Sequence, residues 1–136
     1  MPIRILVVDD HDVVREGVRG ILARHPDWEV CGEAANGEEA VAAVSELQPD
    51  VTIMELTLPL MNGLAAAEQI VQSGSRTKIL ILTMHDPGLM LDGVKSIGAH
   101  GIVSKSRAGQ DLIPAIEVLL SGGTFWPGAA TSAGLN

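Results

Sequence analysis

Five short β-rich apolar runs punctuate the chain: IRILVV at 3–8, EVCGEA at 29–34, DVTIM at 50–54, KILILT at 78–83 and GIVS at 101–104. Their starts lie 26, 21, 28 and 23 residues apart, room for one strand, one helix and two short loops. The stretches between them carry helical spacing. VVREGVRGILARH sets Val14, Val18, Ile21 and Leu22 on one face, and EEAVAAVSELQ, LAAAEQIVQSG, GLMLDGVKSIG and QDLIPAIEVLLSG follow in turn. Strand–helix alternation of this length requires parallel strands, right-handed crossovers and helices on both faces of one sheet. The first, third and fourth runs are almost wholly apolar, as strands covered on both sides must be. The expected fold class is therefore α/β, a doubly wound (βα)5 around a five-stranded parallel sheet. Asp86-Pro87 reads as the cap and first turn of a helix. Pro114 is tolerable if the last helix begins only a few residues before it.

At 136 residues the chain is long enough for one independently folding domain. Its 17 acidic and 9 basic residues give a net charge of −8, which argues against DNA, RNA or an anionic membrane as a direct partner. A single cysteine, Cys31, has no internal disulfide partner and fits a reducing compartment. The opening MPIRILVVDD is too short in apolar residues for a spanning helix or a signal peptide, so a soluble, cytoplasmic chain is expected. Beyond Gly122-Gly123 the alternation stops. Residues 1–122 read as the domain and 123–136 as the start of a flexible linker, small, polar and turn-forming. Phe125 and Trp126 are the bulky residues of that tail. They either pack back on the domain or lie exposed, or else mark a docking point.

Ligands of open parallel sheets bind beyond the carboxyl ends of the strands. The first run ends in Asp9-Asp10, the third in Glu55, the fourth in Thr83 and the fifth in Lys105. Three carboxylates, a hydroxyl and an ammonium on one rim suit a divalent cation and a phosphoryl group. Two unit charges about 4 Å apart repel by roughly 4 kcal/mol at an effective dielectric of ~20, so clustered carboxylates attract a cation. Magnesium takes hard oxygen ligands and retains waters that a phosphate can replace. Thr83 and Lys105 are placed to hold phosphoryl oxygens.

Together VVDDHDVVREGVR, PDVTIMELTLPLMNG, LTMHD and GAHGIVSKS resemble the receiver domain of two-component response regulators, nearest to the NarL/LuxR type, from residue 3 to about 122. The resemblance implies a flavodoxin-like strand order 2-1-3-4-5 and a signalling module rather than a metabolic enzyme. It implies Mg2+ held by Asp9, Asp10, the residue-55 carboxylate and the backbone carbonyl of Thr57, with Asp10 the more direct of the acid pair. Thr83 matches the hydroxyl that follows the phosphoryl group, and Lys105 the lysine that contacts it. The Lys105–Ser106 bond corresponds to one that is often cis in the family. The implied partners are a sensor histidine kinase and a second copy, through the fourth helix, fifth strand and fifth helix. DNA would be reached only through a C-terminal effector domain absent from this chain, making the whole a transcriptional regulator.

Two positions depart from the family pattern. Where the phosphoaccepting aspartate belongs, this chain has Glu55, whose extra methylene advances the carboxylate by roughly 1 Å; misplacement of that order costs about 100-fold in rate. A longer anionic side chain also partly mimics the phosphorylated aspartate, with less charge and fewer oxygens. Three readings of Glu55 stand: a natural variant that signals without phosphorylation, an introduced activation mimic, or a slow acceptor. The aromatic switch three residues before the lysine is replaced by Ile102, in a chain without tyrosine.

Rival functions are a Mg-dependent phosphohydrolase or phosphotransferase using Glu55 on a small substrate, and a flavodoxin-like nucleotide binder. No second base and no glycine-rich loop after the first strand support either. His11, His25, His85 and His100 show no ligand spacing and read as structural or surface residues. Asp9-Asp10 could serve only to cap the first helix.

Overall fold

The computed structural model describes residues 2–127. β1 (Ile3–Val8), α1 (Asp12–Leu22), β2 (Trp28–Ala34), α2 (Gly37–Leu47), β3 (Val51–Glu55), α3 (Gly63–Gln72), β4 (Lys78–Thr83), α4 (Pro87–Ser96), β5 (Gly101–Ser104) and α5 (Ala108–Leu120) alternate, with one 3-10 turn, Lys105–Arg107, ahead of α5. The strands pair in parallel in the order β2-β1-β3-β4-β5. This is the expected doubly wound α/β sheet in flavodoxin-like order. No helix among the described residues is long and apolar enough to cross a membrane.

Strand side chains alternate between two cores. Leu6, Val8, Met54, Ile79, Ile81 and Ile102 face α2, α3 and α4, where Val44, Ile70 and Val94 meet them. Ile5, Val7, Val51, Ile53, Leu80 and Val103 face α1 and α5, against Val18, Leu22, Leu112 and Ile116. Each fully buried aliphatic side chain contributes about 1.5–3 kcal/mol of transfer free energy.

The helix starts are set by short polar side chains. Asn36 accepts from the N–H of Glu39, Asn62 from Ala65 and Asp86 from Gly88, with Pro87 opening α4. Gly63 fixes the loop after β3: a Cβ there would lie 2.1 Å from the carbonyl oxygen of Glu55, so only glycine lets α3 begin against the end of that strand. Pro114 falls in the second turn of α5 rather than the first, and the helix continues through it at the cost of one backbone bond.

The two sheet edges differ. On β2 the register slips at Cys31, which lies between the Val30 and Gly32 pairings, and the strand carries Glu29 and Glu33. β5 carries no charge. Its outer side is covered instead by the chain beyond α5: Phe125 donates to the carbonyl of His100 at 3.0 Å and accepts from the N–H of Ile102 at 3.0 Å. Phe125 packs on the α1/α5 core, Trp126 on the opposite core. Of the segment expected to be linker, residues 123–127 are thus placed along the sheet, while 128–136 lie outside the described residues.

Candidate functional site

The carboxyl ends of β1 and β3 and the turn after β5 bring three ionisable side chains together. Lys105 Nζ lies 2.7 Å from Asp9 Oδ2 and also contacts Glu55 Oε1. The side chains of Asp9, Glu55 and Lys105 are only 1%, 5% and 10% exposed. Glu55 closes the end of a fully buried strand, so its charge must be met locally, and both its oxygens are: Oε2 accepts from the N–H of Thr57 at 3.1 Å. Burial draws the Lys105 ammonium down, but the contacts with Asp9 and Glu55 outweigh it and hold the pKa above the usual lysine value. Stripping one partner from a buried pair of this kind costs about 3–5 kcal/mol.

Asp9 is further fixed from its own strand end. Its Oδ1 accepts from the backbone N–H of His11 at 2.9 Å, and its carbonyl accepts from the Arg15 guanidinium. This is a tight turn and not a helix cap: the N-cap of α1 is His11, with no side-chain cap bond. Oδ2 of Asp9 is buried and meets the Lys105 ammonium at 2.7 Å. Asp10 is partly exposed, and His11 Nδ1 lies 3.3 Å from Oδ1 of both aspartates. One ligand atom each from Asp9, Asp10 and His11 falls within 4.8 Å of the others. The two carboxylates of that group offer hard oxygens, and the His11 imidazole a nitrogen, that suit a divalent cation such as Mg2+. Glu55 stands outside this group and joins it through Lys105.

The remaining expected residues sit on the same rim in different ways. Thr83 is fully buried and pairs in register with Ser104, one step from the Glu55–Leu82 pairing; its Oγ1 accepts from the N–H of His85 at 3.0 Å and not from the ion cluster. Thr57 contributes its N–H to Glu55. Ile102 is 1% exposed and turned into the α2/α3/α4 core. No peptide bond among the described residues is cis, so Lys105–Ser106 is trans. His11 and Arg15 escaped the sequence reading as site residues. The signal available was their position, two and six residues after Asp9 on the first turns of α1.

A family model described as the response regulator receiver domain matches residues 5–117. The Oxygen regulatory protein NreC of Staphylococcus carnosus is 43% identical over 123 residues, 90% of this chain and 57% of its own length. The transcriptional regulatory protein DegU of Brevibacillus brevis is 37% identical over 123 residues, 90% of this chain and 52% of its own. The chain thus spans about half the length of these curated relatives. A crystal structure of a LuxR-family two-component response regulator from Aurantimonas sp. SI85-9A1 superposes with a TM-score of 0.89 at 37% identity, covering 97% of this chain and 94% of that one.

Proposed function

Because the chain belongs to the response regulator receiver domain family, and within it to the NarL/LuxR type, we propose that it is the signal-input domain of a cytoplasmic two-component transcriptional regulator in which Glu55 replaces the phosphorylation signal. The engagement of both Glu55 oxygens carries this reading. Here Oε1 meets Lys105 and Oε2 accepts from the N–H of Thr57, contacts that fix the carboxylate and weaken it as a nucleophile toward phosphorus. The Glu55 side chain reaches Lys105 directly, the contact proposed to stand in for one with a phosphoryl oxygen. Asp9 and Asp10, with His11 beside them, would hold Mg2+, whose role is to neutralise the acidic rim and orient phosphoryl oxygens. Asp9 meanwhile anchors Lys105, and Thr83 presents a buried hydroxyl to the rim.

The proposed partners follow from membership. A sensor histidine kinase would dock over the carboxyl-end rim, and a second copy against the α4, β5 and α5 side. DNA would be engaged only by sequence beyond this chain, as the names and lengths of the transcriptional relatives suggest. The domain is proposed to transmit state and not to turn over a substrate.

The test compares this chain with Glu55→Asp for labelling by acetyl phosphate in Mg2+. Labelling of the Glu55→Asp variant at least ~100-fold faster supports an intact site with a disabled acceptor. Equal labelling of both chains overturns the reading of Glu55, and sustained hydrolysis of aryl phosphates overturns the signalling assignment itself.

A further inference from the structure

We propose that Gly123–Trp126 is a protective cap on the edge of β5, and that it prevents a second copy of the chain from pairing with that edge. An uncovered edge strand offers a row of unpaired N–H and C=O groups to any other chain. A second copy always presents a matching row, because two identical edges pair antiparallel about a two-fold axis.

The two edges of this sheet meet that hazard differently. β2 has a register slip at Cys31 and two carboxylates, Glu29 and Glu33, which discourage docking of a like strand. β5, the strand GIVS, has neither a charge nor a slip in its pairing with β4. Among the described residues its protection is its shortness and the cap. Phe125 takes up the Ile102 N–H and the His100 carbonyl, the two groups through which a docked strand would start.

The cap is fitted to its seat on several sides. A Cβ on Gly101 would meet Leu80 Cδ1 and the Phe125 carbonyl oxygen each at 3.0 Å and the Phe125 Cβ at 3.2 Å, so bare glycine lets the cap approach above and β4 pack below. A Cβ on Gly123 would meet Val118 Cγ1 at 2.9 Å, which seats the start of the cap on α5. Phe125 and Trp126 then straddle the strand, one in each core, and Lys95 of α4 lies over the Trp126 ring at 5.4 Å.

Two variants of the whole chain test this. Gly101→Ala crowds the cap, and Leu80 of β4 with it, without removing any cap side chain; Trp126→Ala weakens the cap's hold and leaves every strand residue in place. Amide exchange at Ile102 reports docking, sedimentation velocity over a wide concentration range reports association, and circular dichroism confirms folding. Both variants are expected to exchange the Ile102 amide roughly tenfold faster or more and to self-associate at markedly lower concentration than the parent chain. Unchanged protection at Ile102 overturns the cap. Lost protection with a persistent monomer overturns its role against self-pairing, as does a parent chain that associates as strongly as the variants. Should Gly101→Ala fail to fold, the Trp126→Ala result decides alone. Acetyl phosphate labelling of Glu55→Asp is independent of every one of these outcomes, so failure of the cap and failure of the receiver reading are separable.

Discussion

One ammonium serves two buried carboxylates in this site, and that ratio fixes its behaviour with pH. The Lys105 pKa is raised above 10.5 in the folded chain, because ion contacts with Asp9 and Glu55 exceed the penalty of burial. A group with a raised folded pKa stabilises fully below its unfolded value and loses that contribution as pH rises through the folded one. Glu55→Gln removes one of the two charges. It is expected to cost about 2 kcal/mol near neutrality and to move the alkaline unfolding midpoint to lower pH, read by circular dichroism across an alkaline titration. A midpoint unmoved by Glu55→Gln would show that Asp9 alone sets the lysine. Asp9, Glu55 and Lys105 were legible in the sequence because each follows an apolar run in a parallel sheet, where strand ends converge. The role of His11 and Arg15 was not, since a histidine and an arginine opening a helix carry no pattern that separates them from surface residues. Which atoms meet was equally hidden: Glu55 reaches Lys105, Asp9 meets both Lys105 and His11, and Asp10 lies beside His11.

Among the elements, the loop from β3 to α3 is the most constrained, and it contains a conformational conflict. Leu60 sits at φ 67° and is 78% exposed, so a left-handed backbone is imposed on a residue that gains little burial in return. Leu60→Gly is expected to stabilise the fold by about 1 kcal/mol, offset in part by the greater freedom of glycine in the unfolded chain. Urea denaturation measures it, and a loss of stability would mean that Leu60 makes contacts the strain argument neglects. Nothing in LTLPLMNG announces this, because leucine is no marker of a left-handed turn. The helices and strands were far easier to read. Periodic apolar spacing and Asp86-Pro87 each act through neighbours in sequence. The bridge between Gly101 and Phe125 depends on residues 24 apart and is too short to have a period, so the sequence left Phe125 and Trp126 open.

Taken whole, the molecule is a sheet with a separate apolar layer on each side. Ile70 belongs to the layer under α3, Val18 to the layer under α1, and the two clusters have no buried residue in common. The five strands stand between them as a partition. Damage to one layer should therefore be felt on its own side: Ile70→Ala and Val18→Ala are expected to sum within about 0.5 kcal/mol in the double variant, by urea titration. Ile70→Ala with Val44→Ala, both in one layer, should depart from the sum as the voids merge. Evolution could on this view rewrite the helices of one side while the other stays unaltered, with the backbone ladder as the boundary neither revision crosses.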